Sequence, residues 1–230
     1  MRSALFTAVL ALLWNISNGQ IIIALLFGDK LNTGKMEFGL VASPSFTNIT
    51  NNESKFHTAF NFGIYFNFNA DKKFYFHVEG IAKGTLGAGS IKPYPTGNDS
   101  LDAFLGTGSV QRKIKVFSMP AFCRYRLSGH LSAELGFQPD LILKVEDIFT
   151  TKVSGSELKY TLEKSDDYTK LDLAMAGGLF YKILKDRRSV GVGLRYVHGL
   201  TDIYKPVEGT QASYMWQIVV TIPVGGVKSK

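Results

Sequence analysis

The stretch Phe60-Asn61-Phe62-Gly63-Ile64-Tyr65-Phe66-Asn67-Phe68 repeats with a period of two, large apolar residues alternating with Asn, Gly and Tyr. Side chains of a strand point alternately to opposite faces, so this segment has one apolar face and one polar or small face. Asp71-Lys72 makes a tight reversal. Beyond it Phe74, Phe76, Val78, Gly80 and Ala82 continue the apolar face, opposite Tyr75, His77, Glu79, Ile81 and Lys83. Together the two segments read as a hairpin.

Working outward, the same alternation recurs on both sides. Upstream, Met36, Phe38, Leu40, Ala42 and Phe46 oppose Glu37, Gly39, Val41, Ser43 and Ser45. Downstream, it predicts strands over residues 114–127, 131–141, 171–181, 190–197 and 214–222. That makes eight strands of roughly 10–14 residues, longer than the five or six usual in globular sheets and suited to tilted membrane-spanning strands. Reversals after the second, fourth and sixth strands are short. Those after the first, third, fifth and seventh are long and polar: Thr47 to His57, Thr85 to Arg112, Val145 to Thr169, and Asp202 to Ser213. Short turns at one end and long loops at the other fit an outer-membrane barrel better than a soluble sandwich. The expected fold is therefore all-β, an eight-stranded antiparallel transmembrane barrel.

Composition agrees. Seventeen Phe, ten Tyr and twenty-three Gly against one Cys favour strands and turns, and the single Cys rules out an internal disulfide framework. The net charge of +7 permits contact with nucleic acid or an anionic membrane. Basic residues are dispersed without aromatic clustering, so no nucleic-acid partner is expected. Residues 1–19 have the parts of a secretory signal peptide: Arg2, an apolar run from Ala4 to Trp14, then small Ser17 and Gly19 before a cleavage site at Gln20. Residues 20–34 are expected to form a short periplasmic segment and residues 35–230 the barrel, in the outer membrane of a Gram-negative cell. The four Asn-x-Ser/Thr matches, at Asn15, Asn48, Asn52 and Asn98, are frequent by chance.

The alternation also assigns the faces. The aromatic face is nearly free of charge between strand ends, as a lipid-facing band must be, and its rings fall near those ends as interfacial girdles. Phe68, Phe74, Tyr125 and Tyr181 mark the short-turn side, and Phe46, Tyr214 and Trp216 the long-loop side. Cys123 shares this lipid-facing side. The opposite face mixes Gly and Ala with Glu37, Glu79, Arg124, Arg126, Glu134, Asp140, Asp172, Arg195 and Gln217. These residues are expected to form a polar network in the barrel interior. Eight strands enclose a lumen just wide enough for side chains to fill, so a closed network is expected ahead of a conducting path.

Further motifs point to a family. The chain resembles the small outer-membrane barrel proteins of Bacteroidetes described as PorT-like, or outer membrane protein beta-barrel domain proteins. The resemblance rests on Leu26-Phe27-Gly28-Asp29-Lys30-Leu31-Asn32 with Lys35-Met36-Glu37-Phe38-Gly39, and on Ser118-Met119-Pro120 with Arg124-Tyr125-Arg126. Its strongest part is Gly193-Leu194-Arg195-Tyr196 with Gly199-Leu200-Thr201-Asp202-Ile203. Residues 224–230 depart from many outer-membrane barrels in lacking a terminal aromatic. The resemblance implies outer-membrane location and barrel architecture, and it admits a role as an accessory component of type IX secretion or gliding, with a secretion-complex protein as partner.

Candidate chemistry is sparse. His57, His77, His130 and His198 show no metal-ligand spacing, and no cofactor motif is present, since Gly87-Ala88-Gly89 and Gly106-Thr107-Gly108 fall in a long polar loop. His198 with Asp202 and Ser213 is the set that could serve a lipid-modifying hydrolase. The expectation is a non-enzymatic structural or binding protein. Its partners would be outer-membrane lipid or lipopolysaccharide, with any specific binding on the long loops.

Overall fold

The computed structural model describes residues 35–153, 155–185, 189–206 and 209–224. The expected signal peptide and the segment 20–34 lie outside the described residues. Within them the chain forms β1 (Met36–Ile49), β2 (His57–Phe68), β3 (Phe74–Ile91), a short helix α1 (Asp99–Leu105), β4 (Ser109–Ser118), β5 (Ala121–Arg126), β6 (Leu131–Val153), β7 (Ser156–Glu163), β8 (Leu171–Lys182), β9 (Gly191–Gly199) and β10 (Ser213–Pro223). All pairings between these strands are antiparallel. They close a ring that runs β1, β2, β3, then β4 and β5 in succession, β6, β8, β9, β10 and back to β1.

The ring has eight walls because β4 and β5 are one wall strand interrupted at Met119-Pro120. Proline has no N–H for a ladder. The wall stays closed because the Met119 N–H donates to the Pro139 carbonyl (3.0 Å) and the Pro120 carbonyl accepts from the Glu79 N–H (2.8 Å). β7 stands off the ring and pairs with the far half of β6, Glu146↔Glu163 through Val153↔Ser156. The hairpin that the alternation predicted over residues 60–83 forms around Asn69, at φ 56°, a left-handed position Asn tolerates. The Asn69 carbonyl accepts from the Lys72 N–H at 2.9 Å.

Outward-pointing Phe74, Phe76, Leu135, Phe137, Leu173, Met175, Leu194 and Ile218 are exposed around the wall. A continuous apolar girth of this kind has lipid as its solvent. The predicted girdles are present as ring pairs, with Phe74–Tyr125 centroids 4.6 Å apart at the short-turn end and Tyr196–Trp216 centroids 4.8 Å apart toward the other.

The upper end departs from the expected long loops. Residues 85–91 continue β3, 109–112 open β4, and residues 145–163 are the far half of β6 plus β7. Two bulges explain why alternation lost the β3 and β6 parts, whereas β4 keeps one parity and only its residue types change. In β3 the register slips between Ile81 and Gly84, and in β6 opposite Lys115 and Val116, which pair with Lys144 and Ile142. At each bulge two successive residues, Ala82-Lys83 and Leu143-Lys144, both point outward, so the residues that follow change face, in β6 to the strand end and in β3 as far as Ala88, where a second register shift precedes Ile91. Lys83 was expected inside and is instead on the outer wall.

Above the bulges polarity inverts to that of a soluble barrel. Lys144, Glu146 and Lys113 point out, while Leu86, Val110, Ile114, Val145 and Phe149 point in and join Ile49, Leu105 of α1 and Met215 in a buried apolar core. The lipid-facing band thus ends where the bulges introduce lysines. Deleting Lys144 should remove the β6 bulge and turn Val145 and Phe149 outward. External protease on whole cells is then expected to cut within residues 145–163 of the deletion variant and to spare Lys144→Ala; equal resistance of the two would show that the bulge does not set the faces.

Candidate functional site

Below the apolar core, cross-strand register brings the inward polar residues into one layer. Glu37 lies opposite Asn67, Asn67 opposite His77, and Tyr65 opposite Glu79. On the other side Arg124 lies opposite Glu134, Glu134 opposite Gly178, and Gly178 opposite Arg195, which faces Gln217. β9 and β3 are diametrically placed in the ring, so a contact between Arg195 and Glu79 must cross the lumen.

That contact is made. Arg195 Nη2 donates to Glu79 Oε1 at 2.7 Å and Nη1 to Oε2 at 3.3 Å, while its Nε donates to Glu134 Oε1 at 2.7 Å. Arg124 Nε donates to the other Glu134 oxygen at 2.7 Å. Arg124 Nη2 also lies 2.7 Å from that oxygen, off the line of a hydrogen bond. The Arg124 guanidinium lies over the Phe180 ring at 4.0 Å and that of Arg195 over Phe122 at 4.0 Å, so each cation has an aromatic face as well as a carboxylate. His77 continues the chain with Nε2 2.7 Å from Glu79 Oε1 and Nδ1 2.6 Å from Asn67 Oδ1. Asn67 Nδ2 and the Tyr65 hydroxyl donate to Glu37 Oε1 at 2.8 and 2.9 Å, and Lys182 Nζ is 3.4 Å from Glu37 Oε2. Glu37, Glu79 and Glu134 are thereby set against Arg124, Arg195 and Lys182. All are buried or nearly so, and burial makes each charge dependent on its partner.

Close approach at two glycines makes room for the rings. A Cβ at Gly39 would lie 2.5 Å from Tyr65 Cε1, and one at Gly191 would lie 2.1 Å from Phe180 Cζ.

A second polar cluster sits in the upper half. Arg112 holds Asp147 through two hydrogen bonds of 2.8 and 2.6 Å, the Tyr94 hydroxyl donates to Asp147 Oδ2 at 2.5 Å, and Tyr168 and Tyr204 face the guanidinium. Burial and the Asp147 carboxylate push the Tyr94 hydroxyl well above its ordinary range, so it stays a donor. This cluster fastens the connection after β3 onto β6. Alternation alone does not reveal it, because Arg112 and Asp147 lie in stretches that read as polar loops in the sequence.

Of the nine interior residues expected from the sequence, Glu37, Glu79, Arg124, Glu134, Arg195 and Gln217 come together in the layer. Asp140 and Asp172 do not. They face each other across β6 and β8, Asp140 held by Gln138 Nε2 at 3.1 Å and Asp172 by the Thr201 and Ser213 hydroxyls at 2.5 and 2.7 Å. Arg126 is also outside the network. It is the last residue of β5, and its Nη2 and Nη1 donate to the Ala70 and Asp71 carbonyls at the short-turn mouth. Tyr65, Asn67, His77 and Lys182 were not singled out from the sequence, although all lie on the inward parity.

The layer positions no nucleophile. His198 is exposed on the outer wall and opposite Tyr214, whereas Ser213, the next residue, points inward to Asp172; strand parity therefore separates the proposed hydrolase set. Among the described residues no His, Cys, Asp and Glu side chains are grouped to hold a metal.

Comparison with known proteins follows the architecture. The family model Outer membrane protein beta-barrel domain matches residues 27–205. No curated protein matches the chain. Solved structures similar to it include Ail, the attachment invasion locus protein of Yersinia pestis, in complex with the heparin analogue sucrose octasulfate (9% identity, TM-score 0.43, covering 84% of this chain and 99% of that one). Neisserial surface protein A (12%, 0.40, 81% and 96%) and OprG from Pseudomonas aeruginosa (10%, 0.40, 82% and 91%) are also similar. With its closed eight-walled ring and lipid-facing girth, the chain belongs to the outer membrane protein beta-barrel domain family and is a small barrel protein of the outer membrane.

Proposed function

We propose that this protein is a non-conducting, non-enzymatic outer-membrane barrel that serves as a structural and binding platform, holding outer-leaflet glycolipid against its wall and presenting the β6–β7 hairpin and the α1 connection outside. The observation that carries the reading is the Arg195–Glu79 bridge across the lumen, roofed by the apolar core. A side-chain-filled interior leaves the outer surface and extracellular end as the places where a partner can be met.

The wall supports the lipid partner. Lys83, Lys113, Lys115 and Lys144 lie on the outer face of adjacent strands at the upper edge of the apolar band. Lys115 and Lys144 share Glu146 at 3.1 and 2.9 Å, while Lys83 and Lys113 have no carboxylate within ion-pair distance among the described residues. Ammonium groups at that height match the phosphates of lipopolysaccharide. The finer kinship with PorT-like proteins of Bacteroidetes is part of this proposal and rests on the motifs over residues 193–203. Arg195 of these motifs sits in the network and Ile203 in the apolar core, while Leu194 faces out on the apolar wall. That favours a role for the motifs in building the barrel over a role in docking a secretion complex.

Two outcomes test this reading. Lipopolysaccharide added to the refolded protein should raise the denaturant midpoint, and Lys→Gln at all four wall lysines should abolish most of that rise; an undiminished rise would remove the wall site. Arg195→Met should destabilise the barrel by about 3–5 kcal/mol in vesicles, because two carboxylates lose their shared cation in a buried layer. An unchanged unfolding midpoint would mean that the network does not hold the lumen closed.

A further inference from the structure

We propose that the short-turn mouth of the barrel, its periplasmic end, is a binding site for a phosphate-bearing anion. A cavity of about 210 Å³ opens there, lined by the first hairpin turn (Asp71), the end of β5 (Arg126), the next turn (His130), the end of β8 (Lys182) and the connection after it (Lys185), with Tyr75 and Ser132 at its floor. Asp71 is the one acidic side chain among the lining residues, against Arg126, Lys182 and Lys185.

Arg126 is held in place and retains donors. Two of the five guanidinium N–H groups of Arg126 fix it to the Ala70 and Asp71 carbonyls (2.5 and 3.3 Å), and the rest remain for a ligand. His130 stacks on Tyr181 and donates from Nδ1 to the Lys182 carbonyl at 2.8 Å, which fixes the second turn at the cavity wall. At the floor the Tyr75 hydroxyl donates to Ser132 Oγ at 3.3 Å. Arg126 and Lys185 have no carboxylate within ion-pair distance among the described residues, unlike the buried Arg124 and Arg195 one layer above. Fastening a turn would account for Arg126 alone. Convergence of the Arg126 guanidinium and the Lys185 ammonium on one cavity, beside Lys182 that also reaches Glu37, matches an oxyanion, and phosphate accepts from such a set through several oxygens. The phosphate could be carried by the headgroup of an inner-leaflet phospholipid or be free in the periplasm.

The test uses the full chain in uncharged detergent, with retained heat-modifiable gel mobility as the control for folding. In the first arm inorganic phosphate is titrated calorimetrically. In the second, the protein is reconstituted with phosphatidylglycerol, re-extracted, and analysed for retained lipid by native mass spectrometry. Saturable phosphate binding without retained lipid identifies a soluble anion, and retained lipid that phosphate does not displace identifies a headgroup. In either case Arg126→Gln with Lys185→Gln should weaken binding by about tenfold or more, and the exposed Lys185→Gln alone should weaken it measurably. Absence of binding in both arms, or binding unchanged in the variants, overturns the proposal.

Discussion

The contact between Arg195 on β9 and Glu79 on β3 joins opposite walls of the ring, and much of the interior is arranged to make it possible. A guanidinium in a water-poor lumen needs full compensation. Glu134 supplies a second carboxylate, Phe122 an aromatic face, and Gln217 a polar neighbour 3.4 Å away. Glu134 in turn requires Arg124, and Glu79 meets His77, so one bridge across the lumen draws in a chain of partners reaching Glu37 and Lys182. Glycine at positions such as 39 and 191 is the steric counterpart, because the Tyr65 and Phe180 rings lie over the neighbouring strand only where it carries no Cβ.

Above this layer the molecule changes solvent. Within the membrane band the apolar face looks out and the charged face looks in; above it the lysines look out and Leu86, Ile114, Val145 and Phe149 look in. Two one-residue bulges accomplish the exchange without ending a strand, so β3 and β6 run continuously out of the lipid-facing band. The apolar upper core and the ionic lower layer then fill the same lumen by different means. The upper core excludes water by packing, and the lower layer occupies the space with charges that are already paired.

The membrane-spanning part of the fold was legible because lipid enforces a strict alternation. Phe60 to Phe68 and Leu171 to Tyr181 each keep one face apolar with no exception. The upper half was not legible because an inserted Lys144 carries no turn signal; the residues after it alternate correctly but on the opposite parity, with charges outside, and so read as a polar loop. For the interior, parity identified which residues face the lumen but not their height along it. Arg195, Glu134 and Arg124 meet because the register aligns them, whereas Asp140 and Asp172 sit higher and Arg126 lies at the rim, a distinction that depends on tilt and stagger of the strands. His77 was passed over because a lone histidine in a strand has no spacing pattern to flag it; its role comes from the β2 and β3 partners on either side.

If the Arg195–Glu79 bridge and the apolar core close the lumen, the barrel is a solid rod of side chains with no path for ions. Single-channel recording of the purified protein in planar bilayers tests this most directly. The predicted result is insertion, verified by heat-modifiable mobility of the recovered protein, with no stable conductance steps above the lipid baseline. Reproducible steps of uniform size from the folded wild-type chain would contradict it.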